Sequence, residues 1–166
     1  MPRLVEAPRL TVDDLDSFGK HERSLGRQIV LTNGCFDLLH PGHIAVLRAA
    51  AELGDTLVVA VNSDASVRRL KGVDRPVMCL DDRLTLLQSL RWVDIVVPFE
   101  QDTAEKPIET LHPSFYVKGA DYEAEIEASP LPELPTLHRL GVEVVFVPLL
   151  PGNASTNLIS RYGNTS

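Results

Sequence analysis

The chain has 166 residues, of which 44% are hydrophobic and 23% charged, and its formal net charge is -7. That length suits one domain with a sizeable core, and the acidic balance argues against a general binder of nucleic acid or of anionic membranes. Two cysteines are too few for a disulfide framework, and no apolar run reaches the roughly 20 residues that span a bilayer. The first residues lack the apolar centre of a signal peptide, so we expect a cytoplasmic protein without nucleic-acid or membrane partners.

Five apolar runs rich in β-branched residues predict strands. They cover Ile29–Thr32, Thr56–Val61, Asp94–Pro98, Ser114–Lys118 and Val142–Val147. Continuous apolar runs are typical of strands covered on both faces, as in a parallel sheet. Helical spacing predicts helices at His43–Leu53, which ends before Gly54, at Asp81–Arg91, and in part of Thr103–Leu111, where Pro107 lies in the first turn or breaks the helix. This alternation predicts an α/β fold with a doubly wound parallel sheet.

The first 28 residues are patterned differently from the rest of the chain. Their apolar residues show only weak helical spacing, around Val12–Phe18. We therefore divide the chain into an N-terminal arm, residues 1–28, and a main domain, residues 29–166. The arm is expected to pack on the domain or on a neighbouring subunit.

Polar residues follow four of the predicted strands. They are Asn33-Gly34, Asn62-Ser63-Asp64, the run from Lys118 to Tyr122, and the run from Asn153 to Asn157. In open α/β sheets, ligands bind outside the carboxyl ends of the strands. The sequence therefore predicts a binding site built from these segments.

The stretch TNGCFDLLHPGH, from Thr32 to His43, joins a strand to a helix. Gly34 permits close approach of the backbone to a ligand, and the helix N-terminus favours an anion to which His40 and His43 can donate hydrogen bonds. Two other interpretations of this stretch stay open. Either histidine alone suits a helix cap. Cys35 and the two histidines could instead bind zinc, although no second ligand cluster follows in the sequence. Neither a P-loop nor a dinucleotide-binding glycine motif is present in the sequence.

The same stretch resembles the H-x-G-H signature of the cytidylyltransferase-like nucleotidyltransferases. Further similarity extends from Ile29 to about Val147 and includes VAVNSDASVRRLKG, RPV, DDR before a leucine-rich helix, WVDIVVPF and VKGADY. This combination most resembles the heptose 1-phosphate adenylyltransferases, which make ADP-heptose, in a free-standing form without a kinase domain. The resemblance implies a Rossmann-like, three-layer α/β/α fold and transfer of AMP from ATP to D-glycero-D-manno-heptose 1-phosphate.

The resemblance also implies roles for individual residues. His40 and His43 stabilise charge on the α-phosphate, Lys71 covers the triphosphate from a mobile loop, and Mg²⁺ enters with ATP, without a metal site of the protein's own. The implied nucleotide contacts are Asn33, Gly34, Cys35, Phe36, Gly42, Lys118, Gly119, Ser155, Thr156 and Arg161. The implied substrate contacts are Asp37, Asn62, Asp64, Arg75, Arg83, Asp121 and Tyr122.

Two of these side chains keep more than one role. Asp37 could orient a histidine, bind magnesium through water, or fix its loop by accepting backbone N–H groups, as aspartate commonly does in turns. Arg83 belongs either to an exposed helix start or to the site of the acceptor phosphate, which suits its planar fork.

Three positions depart from the family pattern. Asn157 stands where a second threonine is common, Ala120 where a second glycine is usual, and Glu133 is a loose equivalent of an acidic position. Two alternatives are therefore kept: a cytidylyltransferase acting on glycerol 3-phosphate or a similar small phosphate, and a non-catalytic nucleotide-binding protein of the same fold. The resemblance also implies a homo-oligomer, with a dimer favoured.

Overall fold

The computed structural model describes residues 6–119 and 131–148. Within them, five strands form one sheet in the order β3-β2-β1-β4-β5. The strands are β1 (Ile29–Gly34), β2 (Thr56–Asn62), β3 (Ile95–Phe99), β4 (Phe115–Gly119) and β5 (Glu143–Val147). All four neighbouring pairs are parallel. The predicted α/β fold and its five strands are confirmed, and the strand bounds shift by at most two residues.

One helix precedes β1, and helices lie between all successive strands. They are α1 (Asp14–Ser24), α2 (Pro41–Ala51), α3 (Asp64–Lys71), α4 (Leu80–Gln88), α5 (Glu105–Leu111) and α6 (Leu134–Leu140). Three of them correspond to the predicted helices, and Pro107 lies in the first turn of α5, where a missing N–H costs no helical hydrogen bond. None of the helices in the described residues has the length and apolar character needed to cross a membrane.

The core lies on both faces of the sheet. Alternate residues of β1 face opposite sides: Ile29 and Leu31 belong to the cluster that includes Leu15, Ile108 and Leu137 from α1, α5 and α6. Val30 belongs to the other cluster, with residues of α2 and α4. All residues of β2 are buried. This two-sided burial explains why the strands are continuous apolar runs in the sequence.

The segment before β1 packs on the same domain. Arg9 forms a parallel bridge with Val96 of β3, and the backbone N–H of Leu10 donates to the Val96 carbonyl at 3.0 Å. Leu15 of α1 is fully buried. At Gly19 a Cβ atom would lie 2.5 Å from the carbonyl oxygen of Leu111, so the absence of a side chain lets α1 approach α5 closely.

The strand order creates a crevice beside β1. From β1 the chain builds β2 and β3 on one side and β4 and β5 on the other. Helices that leave β1 and β4 must therefore diverge, which opens a gap at the carboxyl ends of these two strands. The β1–α2 loop, residues 35–40, and the start of α2 lie at this gap.

Candidate active site

The start of α2 is organised by His40. His40 is the N-cap residue, with extended backbone at φ -142°, and its Nδ1 accepts a hydrogen bond from the His43 backbone N–H at 3.4 Å. Pro41 occupies the first turn, where its fixed φ suits a helix start. The remaining unpaired N–H groups and the positive end of the helix dipole therefore face the crevice, as an anion site requires.

The two histidine rings form a stacked pair. Their centroids are 3.8 Å apart with an interplanar angle of 27°, and the Phe36 ring lies 5.1 Å from that of His43. Burial lowers the pKa of His43 to about 3, with smaller contributions from His40 and Lys71 in the same direction. Burial, and then the charge of Lys71, lowers the pKa of His40. Because Nδ1 of His40 accepts a hydrogen bond, the neutral ring carries its proton on Nε2, where it can be donated to a ligand.

Lys118 borders the crevice from β4. It is buried, and its Nζ lies 5.4 Å from the ring centroid of Tyr116, whose hydroxyl donates to Asn33 Oδ1 at 2.6 Å. Burial lowers the pKa of Lys118, while the charge of Glu133 acts in the opposite direction. Lys118 is therefore shielded from water, so its charge would act strongly on a phosphate bound nearby.

Asp37 lies in the β1–α2 loop but accepts its hydrogen bonds from a second loop, further along the chain. One oxygen, Oδ2, accepts from Arg75 Nε at 2.5 Å, and the other, Oδ1, accepts from the backbone N–H groups of Val77 at 2.7 Å and Met78 at 3.2 Å. These donors belong to residues 72–79, which we call the α3–α4 loop. Both oxygens are hydrogen-bonded inside the protein, which favours the loop-fixing role among the three considered for Asp37.

Arg83 is fully buried and is not part of an exposed helix start. Its guanidinium donates to the carbonyl of Cys35 at 2.5 Å, to the carbonyl of Met78 at 3.1 Å and to Asp64 Oδ1 at 2.8 Å. It therefore joins the β1–α2 loop, the α3–α4 loop and the start of α3. These bonds occupy Nε and both terminal nitrogens of Arg83. The contact of Arg83 with an acceptor phosphate stays a prediction.

Asn62 has a similar internal role. Its amide donates to Ser66 Oγ at 3.0 Å and to the carbonyl of Gln101 at 3.3 Å. The side chain thereby fixes the turn between β2 and α3 to the segment after β3. Its predicted contact with substrate is likewise still a prediction.

The structure brings together most of the predicted site residues that it describes. The charge of Lys71 acts on Cys35, His40 and His43, and that of Lys118 acts on Cys35. Burial raises the pKa of the Cys35 thiol, which keeps it protonated. Gly34 and Gly119 end β1 and β4, and Gly42 lies in the first turn of α2. Asp121, Tyr122, Ser155, Thr156 and Arg161 lie outside the described residues.

One placement differs from the prediction. Lys71 does not lie in a loop but is the last residue of α3. Ser63 caps this helix, its Oγ accepting from the Ser66 backbone N–H at 3.2 Å, and the helix continues to Gly72, which has φ 105°. The lysine is exposed at the helix end, directly before the α3–α4 loop.

The sequence reasoning missed Tyr116 as a site residue and named Glu133 only as a loose equivalent of an acidic position. Tyr116 precedes Lys118 by two positions, and the two-residue period of a strand places both on one face, which was a usable signal. Glu133 is buried, and its Oε1 accepts from the backbone N–H of Ala104 at the start of α5, at 2.9 Å. No local feature of the sequence indicates that Glu133 and Ala104 are hydrogen-bonded to each other.

The zinc alternative finds no support in the part of the chain that the structure describes. There, no group of three or more histidine, cysteine, aspartate or glutamate side chains could hold a metal ion. Cys35, His40 and His43 accordingly do not form a ligand set.

The chain is similar in sequence to curated bacterial proteins. The chain is 46% identical to the bifunctional protein HldE of Streptomyces coelicolor over 149 residues, which are 90% of this chain and 31% of that protein. It is 54% identical to the bifunctional protein HldE of Vibrio parahaemolyticus over 106 residues, or 64% of this chain and 22% of that protein. The chain thus spans 31% or less of these curated relatives.

A solved structure and a family model agree with these relatives. The crystal structure of the lipopolysaccharide core biosynthesis protein from Thermoplasma volcanium matches with a TM-score of 0.58 and 30% identity, over 75% of this chain and 98% of that one. Residues 31–161 match the family model described as cytidylyltransferase-like. That match includes the histidine pair and β4, so the resemblance inferred from TNGCFDLLHPGH is confirmed: the chain belongs to the cytidylyltransferase-like family.

Proposed function

We propose that the protein transfers AMP from ATP to a sugar 1-phosphate, with D-glycero-D-manno-heptose 1-phosphate as the acceptor and ADP-heptose and pyrophosphate as products. The observation that carries the proposal is the stacked histidine pair at the N-terminus of α2, in the crevice between β1 and β4. Identity of 46% to 54% with the bifunctional protein HldE of two bacteria supports the choice of acceptor.

The proposed step is an in-line displacement. An oxygen of the acceptor phosphate forms a bond to the α-phosphorus of ATP as the bond to the bridging oxygen breaks, and pyrophosphate leaves with that bonding pair. Because the acceptor is already ionised near neutral pH, no protein base is needed. A histidine with a pKa of about 3 is a poor base in any case, and it suits hydrogen-bond donation instead.

The side chains of the crevice would then stabilise charge as it develops. His40 Nε2–H and the free N–H groups of α2 donate to the α-phosphate oxygens, while Lys71 and Lys118 offset the negative charge of the phosphates. Such a site accelerates the reaction by positioning the reactants and by charge stabilisation, without a covalent intermediate.

Magnesium fits this scheme as part of the substrate. The side chains gathered in the crevice are imidazoles and ammonium groups, which bind phosphate oxygens, and Asp37 has both carboxylate oxygens hydrogen-bonded within the protein. We therefore expect Mg²⁺ to be held mainly by the triphosphate. The predicted contacts of Arg75, Asp121 and Tyr122 with the acceptor or the nucleotide, and of Ser155, Thr156 and Arg161 with the nucleotide phosphates, belong to the same proposal.

A nucleotide and acceptor panel tests the proposal. The purified protein is incubated with Mg²⁺ and each of ATP, CTP, GTP and UTP, with heptose 1-phosphate or glycerol 3-phosphate, and pyrophosphate is measured. We expect turnover with ATP and heptose 1-phosphate. Turnover with CTP and glycerol 3-phosphate alone would establish the cytidylyltransferase alternative. Nucleotide binding without any turnover would favour the non-catalytic protein.

His43→Ala tests the role of the histidine pair. Loss of a preorganised charge-stabilising group reduces kcat by a factor of about 100 to 1,000. His138→Ala is the matched control, because His138 is exposed on α6. Circular dichroism melting verifies folding of both variants. Wild-type turnover by a folded His43→Ala protein would contradict the mechanism.

A further inference from the structure

We propose that Asp37 is a positioning residue that anchors the α3–α4 loop to the β1–α2 loop and thereby holds Lys71 and Arg75 at the triphosphate site. The inference rests on the proposed function for the identity of the ligand. It assigns to Asp37 an action through other residues, in place of direct contact with substrate.

Asp37 accepts hydrogen bonds from the α3–α4 loop. Its carboxylate is 1% exposed and accepts three hydrogen bonds from a loop about 40 positions further along the chain. One comes from a guanidinium, so it is charge-assisted and stronger than a neutral bond. With three hydrogen bonds from the α3–α4 loop, this buried carboxylate fixes the position of that loop.

Few buried apolar side chains hold the α3–α4 loop. Val73 is 86% exposed and Val77 is 56% exposed, so the apolar side chains of the loop contribute little burial. The loop starts at Gly72, whose φ of 105° favours glycine. Its position therefore depends on polar anchors, which are Asp37 and the bond from Arg83 to the Met78 carbonyl. Segments with few buried apolar contacts open locally at low cost.

The guanidinium of Arg75 forms an ion pair with Asp37. Its side chain is 15% exposed, and its Nη2 is buried without a hydrogen-bond partner within the described residues. A mostly buried cation that loses its counter-ion is strongly destabilised where it lies. Removal of the Asp37 charge should therefore expel Arg75 and release the loop that follows Lys71.

Lys71 connects the loop to the reaction centre. It directly precedes Gly72, and its charge acts on both histidines of the crevice. A released loop would allow Lys71 to move away from the triphosphate. The affinity for ATP should then fall while the histidine pair itself stays intact.

Limited trypsin digestion tests the anchor without any need for turnover. Asp37→Asn preserves the size of the side chain but removes its charge. At a temperature well below the Tm of both proteins, we expect the Lys71–Gly72 bond of the folded variant to be cleaved at least about tenfold faster than that of wild type. Arg75 is followed by Pro76, so trypsin does not cut there and Lys71 is the reporter. Asp74→Asn, which removes an exposed carboxylate from the same loop, should behave as wild type.

Kinetics test the positioning role. Asp37→Asn should raise KM for ATP about tenfold and change kcat much less, whereas a general loss of structure would lower Tm and the active fraction together. The KM for ATP of the double variant Asp37→Asn/Arg75→Ala should be at most about twofold higher than that of whichever single variant has the higher KM. The two effects should not add, because both changes release the same loop. If Asp37→Asn does not fold, Arg75→Gln removes the same ion pair from its more exposed side and carries the same expectations.

The outcomes separate this inference from the proposed function. Faster cleavage with no nucleotide turnover in wild type would leave the anchor standing and overturn the function. Turnover in wild type with unchanged cleavage in Asp37→Asn would overturn the anchor. An unchanged KM for ATP, or additive losses in the double variant, would also overturn it.

Discussion

His43 differs from a surface histidine because its imidazole is buried beside another imidazole and near an ammonium group. Burial disfavours the charged form most, both neighbours act in the same direction, and together they lower its pKa to about 3 from an ordinary value of 6.5. Protein stability therefore depends on pH through this residue. Above pH 6.5 both folded and unfolded forms are neutral here. Between pH 6.5 and 3 the unfolded chain binds a proton that the folded chain does not, so stability is lost as the pH falls.

Urea unfolding at a series of pH values checks this consequence. In the range where only the unfolded chain is protonated, one such group removes about 1.4 kcal/mol of unfolding free energy per pH unit. His43→Gln lacks the group, so the wild-type curve should fall more steeply than the variant curve from about pH 6 to about pH 4. Parallel curves would show that His43 is freely protonated in the folded protein.

At the scale of elements, buried polar side chains fix the loops that carry the site. Asp37 and Arg83 both join the β1–α2 loop to the α3–α4 loop, and Arg83 also reaches the start of α3. Neither connection could be predicted from spacing, because the partners are about 40 to 50 positions apart and nothing local specifies them. The position of the two histidines could be predicted from the sequence, because the glycine turn and the helix start are local features.

Two of the three unpredicted helices, α3 and α6, were missed for local reasons. In α3 the buried residues include a serine and one valine, which is too little apolar content to show a helical period. In α6, Pro135 follows directly after the first residue of the helix, and the proline-rich sequence before it indicated a loop. The strands were predictable because burial on both faces gives each of them a continuous apolar run.

Arg83→Met should reduce stability much more than a change at an exposed arginine. The substitution leaves the carbonyls of Cys35 and Met78 without their donor and Asp64 without its counter-ion. We expect a loss of about 3–5 kcal/mol, since breaking one side of a buried pair costs that much. Arg68→Met on the exposed face of α3 is the control, with a change within about 0.5 kcal/mol. Equal effects of the two substitutions would contradict the tethering role.

At the scale of the whole molecule, the segment before β1 completes the fold. It contributes a bridge to β3 and the fully buried Leu15 to the core. The sequence offered only weak helical spacing here, because α1 buries few residues and its close contact with α5 depends on a glycine. The sequence pattern alone therefore could not place this segment on the domain.

Deletion of residues 1–24 tests this contribution. The loss of Leu15 alone should cost about 2–5 kcal/mol, as measured for Leu→Ala changes in packed cores. The truncated chain should therefore unfold at a lower urea concentration than Leu15→Ala, which removes only that side chain. Lys20→Ala, on the exposed side of α1, should unfold as wild type. A truncated chain as stable as wild type would show that the segment is dispensable for folding.

The central position of β1 also dictates the order in which the site can assemble. Val30 pairs with Leu57 on one side, 27 positions later, and with Phe115 on the other, 85 positions later. Closing the longer loop is entropically costlier and kinetically slower than closing the shorter one. During synthesis the histidine side of the crevice can therefore form while the strand that bears Lys118 is still inside the ribosome. Pairing of β1 with β4 becomes the late step that completes a binding-competent protein.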